Sequence, residues 1–271
     1  RNESMKKKKN GLRFFSSGYL VLVMAFIYLP ILYVMVFSFN DSKSMIAFEG
    51  FSLRWYEAMF ENREMLESIY YTVIVALIAT AVSTVVGTVA AIGLSKAKPL
   101  VRTIVLELNN LPVLNPDIVT AISLMLLFLS VRVERSIVTL IISHITFCTP
   151  FVILSVLPKL RQLDDNVAEA ALDLGATPLQ ALVKVIIPQI YPAIFSGALI
   201  AFSMSFDDFV ISFFTAGVDV QNISMYVYSM KRFNPSVNAL STLIVVAVAI
   251  ILVLANLIPA LKERKNKKEE Y

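Results

Sequence analysis

The chain has 271 residues, 57% of them apolar and 16% charged, with 24 Lys and Arg against 20 Asp and Glu. Soluble domains run near ~45–50% apolar and ~25% charged, so water is not this protein's principal solvent. One Cys and one His exclude a disulfide framework, a zinc finger and most histidine-based catalysis, and 8 Gly with 11 Pro exclude a collagen-like or low-complexity chain. What remains is an all-α, polytopic membrane protein.

A helix needs about 20 apolar residues to cross the hydrocarbon layer. Six stretches qualify: residues 17–39, 68–94, 104–130, 136–157, 190–214 and 238–260. None alternates with period two, so six transmembrane helices are expected. The first follows Lys6–Lys9 and Arg13, but Tyr19–Phe39 is too long for a cleaved signal peptide and no small-residue cleavage site follows. It reads as a retained anchor, with Met5 as initiator and Arg1–Ser4 as an extension. Lys and Arg set the orientation. Segments 1–16, 95–103, 158–189 and 261–271 hold 17 of them, and segments 40–67, 131–135 and 215–237 hold 7. Both termini are therefore expected in the cytoplasm, as basic flanks (1–16 and 261–271) of a transmembrane domain over 17–260. The net charge of +4 is accounted for by anionic lipid headgroups and needs no nucleic acid.

The outer loop 40–67 holds the one Trp, in Phe51-Ser52-Leu53-Arg54-Trp55-Tyr56, followed by Glu57, Glu61, Glu64 and Glu67. Trp55 belongs either to an interfacial aromatic belt or to a cation–π contact for a ligand arriving from outside. The second span carries small residues on two rows, Ala79-Ser83-Gly87-Ala91 and Thr72-Ala76-Thr80-Thr84-Thr88, a spacing that lets membrane helices approach closely. In the third span, Pro112 and Pro116 break the helix, and Asp117 either caps the half that follows or faces a polar path. In the fourth, His144 and Cys148 lie four residues apart; two ligands are too few for a metal, and a packing role is expected.

The cytoplasmic segment 158–189 carries the most information. Asp164-Asp165-Asn166 with Glu169 is a helix start of capping-box type, and Gly175 is a natural stop. Thr177-Pro178-Leu179-Gln180 then starts a second helix, expected to end before Pro188. An Ala-rich helix in water has little reason to form alone. It is shaped to dock into a partner.

Glu169-Ala170-Ala171-Leu172-Asp173-Leu174-Gly175 resembles the EAA loop of ABC importer permeases, E-A-A-x(3)-G-x(9)-I-x-L-P. Ile186-Ile187-Pro188 closes the motif after ten intervening residues from Gly175, with Ile in place of the final Leu. Asn115–Val119, Ser143–Cys148, Ser205–Asp208 and Asn238-Ala239-Leu240 are similar to stretches of the permease C subunits of spermidine/putrescine importers, and the similarity runs over residues 17–260. The resemblance implies the type I permease fold and a place in the bacterial inner membrane. It also implies a homologous second permease, two copies of a cytoplasmic ABC ATPase and an extracytoplasmic polyamine-binding protein. Glu169, Ala170, Ala171, Asp173 and Gly175 would then be the ATPase-docking residues of a coupling helix. No G-x-x-x-x-G-K-[ST] sequence occurs in the chain, so ATP and Mg are expected on the partner. No cofactor is expected here, and the chain is expected to be a transport subunit, not an enzyme.

Polyamines are flexible polycations, and each ammonium stripped of water needs a counter-charge. Only Glu107, Asp117, Asp207 and Asp208 are acidic residues within spans, where a carboxylate costs ~2.5 kcal/mol or more. Asp117, Asp207 and Asp208, with the hydroxyl of Ser205 and the ring of Trp55, are the candidate substrate path. No Lys or Arg lies between Lys184 and Lys231. Adjacent residues point about 100° apart on a helix, so one of Asp207 and Asp208 is expected to face the path and the other to brace a neighbour. Three other readings stand beside this one. A permease for another small solute shares every feature. An ion-coupled carrier would use the same aspartates but normally shows an internal repeat. An intramembrane hydrolase would need a nucleophile–base pair, and Ser143-His144 face different sides of their helix.

Overall fold

The computed structural model describes residues 2–164, 166–231, 234–250 and 253, with side chains from Gly18 onward. The predicted tail 261–271 and most of the predicted sixth span beyond Ile250 lie outside the described residues, as does Asp165. Among the described residues the chain is helical, with one isolated antiparallel bridge between Asn40 and Phe51. In chain order the helices are α1 (Asn2–Phe37), α2 (Arg54–Glu61), α3 (Arg63–Lys96), α4 (Pro99–Leu114), α5 (Asp117–Ser130), α6 (Ile137–Leu160), α7 (Asn166–Asp173) and α8 (Pro178–Ala181). A π-turn (Leu182–Ile186), α9 (Ile187–Phe206), α10 (Val210–Thr215), α11 (Ile223–Ser229) and α12 (Ser236–Ile250) follow.

Among the described residues, Gly18–Phe37, Arg63–Lys96, Ile137–Leu160 and Pro178–Phe206 are long and apolar enough to cross a membrane, and α12 is shorter. The expected third span is not one helix: α4 and α5 meet at 106°. The break belongs to Pro116 alone. Pro116 has no N–H to donate and holds Asn115 extended at ψ 147°, whereas Pro112 sits inside α4. The second span begins earlier than expected, so that Glu64 and Glu67 fall in the first turns of α3 and only Glu57 and Glu61 in α2.

Two further boundaries differ from expectation. The helix that starts at Thr177 does not end before Pro188. The Thr177 hydroxyl and the Gln180 side chain form the reciprocal cap, and the chain then runs through the π-turn into α9, where the Ile187 N–H donates to the Leu182 carbonyl. Widening one turn gives the Pro188 ring room and absorbs its missing donor. The fifth span is interrupted: α9 stops at Phe206 and α10 starts at Val210.

The contacts divide the chain into two units, one holding the N-terminal residues to Arg63 with those from Met230 on, the other Glu64–Ser229. In the second unit α6 is central, with Cys148, Val152, Val156 and Leu157 buried together with Ala91, Ile190, Ala201 and Ile211. Val152 is flanked on two sides by glycine. A Cβ on Gly87 of α3 would lie 2.7 Å from Val152 Cβ, and one on Gly197 of α9 would lie 3.3 Å from Val152 Cα. Ala79, Ser83, Gly87 and Ala91 are all buried, so this row packs within the chain. Without a hydrophobic effect between helices in lipid, such close approach holds them together. Gly87→Ala is expected to cost about 1–3 kcal/mol by overpacking and to lower the thermal midpoint of the detergent-solubilised protein. Val152→Ala keeps the Cβ that the new methyl would meet at 2.7 Å and should not restore the loss.

Candidate substrate path and coupling surface

The interruption of the fifth span is built by side chains. Asp207 ends α9, its N–H reaching the Ser203 carbonyl at 3.4 Å, and its side chain is exposed. Asp208 turns inward. Its carboxylate accepts the N–H groups of Ile211 (3.2 Å) and Ser212 (2.7 Å), which caps α10, and also the Ser212 hydroxyl at 2.8 Å. Asn222 donates to the Asp208 carbonyl at 2.7 Å and to Ser212 Oγ at 2.9 Å, while its own carbonyl oxygen caps α11 by accepting the Met225 N–H. From α6, His144 Nδ1 meets Ser205 Oγ at 2.6 Å and Nε2 meets Ser212 Oγ at 3.0 Å, with Asp208 Oδ2 3.5 Å away. His144, Ser205, Ser212 and Asn222 are all buried.

The two adjacent aspartates divide, one exposed and one braced, at a helix break instead of on two faces of one helix. Of the expected path residues, Ser205 is buried and Asp208 turned inward. Both are committed to the buried network, because a buried hydroxyl and a buried carboxylate are stable only when their hydrogen-bonding capacity is met. Cys148 is likewise engaged, its thiol 3.4 Å from the Ala201 carbonyl.

Asp117 is exposed in the first turn of α5, where a carboxylate is favoured by the helix dipole. It lines a cavity of about 120 Å³ with Thr120, Phe147, Phe151, Met204 and Ile211. Met204 and Ile211 flank the α9–α10 break, and Phe147 meets His144 edge to face with centroids 5.2 Å apart. The N-cap of α5 is Pro116, so Asp117 sits in the first turn without being the cap and faces the cavity.

The other candidate surface is α7. Asp164 Oδ1 accepts from the backbone N–H and the side-chain amide of Asn166 at the helix start. At the end Gly175 takes φ +87°. Its N–H reaches the Leu172 carbonyl and the Ala176 N–H the Ala171 carbonyl, which is a complete Schellman closure. Glu169, Ala170, Asp173 and Gly175 are exposed and Ala171 half-buried. Leu174 is 89% exposed and Leu179 69%, an apolar surface at the motif with no cover among the described residues.

Comparison with known proteins places these features. Residues 83–268 match the family of binding-protein-dependent transport system inner membrane components. The chain belongs to this family. It is 34% identical to the spermidine/putrescine transport system permease protein PotC of Haemophilus influenzae, over 93% of this chain and 98% of that one. It is 35% identical to the putrescine transport system permease protein PotI of Escherichia coli, over 92% of each. A solved bacterial ABC transporter involved in import of the acidic polysaccharide alginate has the same fold, at TM-score 0.70 and 16% identity over 92% of this chain and 96% of that one.

In this permease Trp55 belongs to the first unit and is buried, its indole N–H donating to the Asn40 carbonyl at 2.7 Å. The Arg54 guanidinium lies 4.8 Å from its ring centroid, so the cation over that ring is the chain's own. Asn40, also buried, organises the loop. Its amide donates to the carbonyls of Ser44 and Ala47 and its oxygen accepts the Glu49 N–H, each at 2.9 Å. Sequence patterns point neither to Asn40 nor to the reach of His144, whose partners lie 61 and 68 residues away. Asn40→Ala should free the 41–53 loop, at about 1 kcal/mol per lost hydrogen bond. Several-fold faster tryptic cleavage after Lys43 in purified permease is the expected readout.

Proposed function

We propose that this permease carries polyamines such as spermidine or putrescine inward through the bacterial inner membrane, as one half of an ATP-driven importer. The observation that carries the reading is the division of labour at the α9–α10 break, where Asp208 is fully bonded and Asp207 stands outward with a free carboxylate face. A polycation crossing a low-dielectric path needs fixed counter-charge, and Asp207 and Asp117 supply it from two separate helix ends. That relatives over 30% identical along nearly the whole chain are named spermidine/putrescine and putrescine permeases supports the same cargo.

The remaining parts are what the resemblance to ABC importer permeases implies. A second, homologous permease supplies the opposite wall of the path, and an extracytoplasmic polyamine-binding protein delivers cargo. Two copies of a cytoplasmic ABC ATPase hold the ATP and Mg. Helix α7, with Glu169, Ala170, Ala171, Asp173 and Gly175, is the coupling helix, and the exposed Leu174 and Leu179 are the apolar surface the ATPase covers. Both chain termini and the α7 loop lie in the cytoplasm, where the Lys and Arg are concentrated. ATP binding draws the two ATPases together and the coupling helices with them, tipping the permeases between inward- and outward-facing states; ATP acts through its different affinity for the two.

Asp207→Asn removes one charge-assisted contact, worth about 1.5–3 kcal/mol. It is expected to raise the half-saturating spermidine concentration about tenfold or more while the ATPase still co-purifies. Uptake of radiolabelled spermidine at wild-type rates and concentrations would remove the acidic-path reading. Glu169→Arg places a cation at the docking helix, and loss of the co-purifying ATPase from detergent extracts is the expected result. Retention of full coupling would separate α7 from the motor.

A further inference from the structure

The buried imidazole of His144 spans the helix break. Nδ1 touches Ser205, on the last turn of α9, and Nε2 touches Ser212, in α10. The Asp207–Phe209 segment lies between these two anchors, so a side chain of α6 holds both edges of the gap in which Asp207 is presented.

Proton counting fixes how the ring is used. The Ser212 hydroxyl has one hydrogen, which it gives to Asp208 Oδ2. Its oxygen accepts from Asn222 Nδ2 and has one lone pair left. Nε2 must therefore carry hydrogen and donate to that lone pair. On the other edge of the ring Nδ1 pairs with the Ser205 hydroxyl at 2.6 Å. The bonds thus link Ser205, His144, Ser212 and Asp208 in series, ending on the carboxylate that caps α10.

We infer that His144 is a positioning residue for substrate recognition: by bridging Ser205 and Ser212 it sets the opening of the α9–α10 break and hence the placement of the Asp207 carboxylate toward a cationic cargo. The inference rests on the reading of Asp207 as a substrate contact, and it adds a residue that itself touches no substrate. A ring that only filled space would need no N–H at Nε2 and no link across the gap.

The test is a double-mutant cycle in the assembled complex. Initial uptake of radiolabelled spermidine is measured against concentration for His144→Leu, His144→Gln, Asp207→Asn and the double variants, with ATPase co-purification as the assembly check. Gln can place an N–H near the Nε2 position; Leu cannot. The expected result is a rise of about tenfold in the half-saturating concentration for His144→Leu and most of the loss recovered by His144→Gln. In the Asp207→Asn background, His144→Leu should add less than twofold. An equal fold-change in both backgrounds, or wild-type uptake in His144→Leu, overturns the inference. Should His144→Leu fail to assemble, Ser205→Ala, which removes only the Nδ1 partner, carries the same cycle: a smaller fold-change in the Asp207→Asn background supports the inference, and an equal one overturns it. If Asp207→Asn alone transports as wild type, the acidic-path reading has failed first, and that result is separate from a failed cycle.

Discussion

A carboxylate inside a membrane domain must be given partners, and the structure is arranged around giving them to Asp208. Two backbone N–H groups and a hydroxyl from α10 converge on it, which is possible only if α9 ends and a new helix begins. The break is therefore a consequence of satisfying the charge, and the exposed neighbour Asp207 is a consequence of the break. Asn222 extends the same logic to α11, since one side chain bonds the Asp208 carbonyl, the Ser212 hydroxyl and the first turn of its own helix. The Ile223 N–H then reaches the Thr72 hydroxyl of α3 at 2.9 Å. Helices α3, α6, α9, α10 and α11 are thus tied to one polar centre, where apolar packing alone would leave them free to slide.

Around that centre the packing is generic. Small residues on α3 and Gly197 on α9 let two helices close on Val152, an arrangement that serves any helical membrane protein. The likeness to a transporter involved in import of an acidic polysaccharide, at 16% identity, shows how little the fold says about cargo. Under the proposed function, discrimination lies in the few charged side chains at helix ends, where a substitution changes the path without disturbing the bundle.

Much of this is legible in the chain. Composition and length locate the apolar segments, because a bilayer demands long uncharged helices. Gly175, Thr177 and Gln180 announce their caps, because capping is local chemistry. Pro116 announces a break for the same reason. Sequence and structure part where distant residues decide. Pro188 reads as a stop, but a π-turn lets the helix pass it. Ser205 and Asp208 read as path residues, because their partners on α6 and in the 210–222 region are invisible to spacing. Trp55 looks available to an external cation, yet Asn40, fifteen residues earlier, takes its N–H and Arg54 takes its face.

The passage through Pro188 changes the mechanical picture. Because the helix does not stop there, Pro178–Phe206 forms one element of 29 residues, about 40 Å at ~1.5 Å per residue. It begins at the Thr177 cap, immediately after the α7 turn, and ends at the Asp207 break. Under the proposed coupling, a displacement of α7 reaches the substrate-facing carboxylate along a single rod, with no flexible loop to dissipate it. The π-turn at Leu182–Ile186 is the one place near the driven end where hydrogen bonding is already non-standard, so bending there costs less than in the regular turns beyond it. His144 grips the far end from α6, the helix with which α9 packs most closely. A rod driven at one end and pinned at the other by a bond network converts a push into a change at the break. Under the proposed function, the polar centre is both the structural keystone and the point where mechanical work meets the cargo.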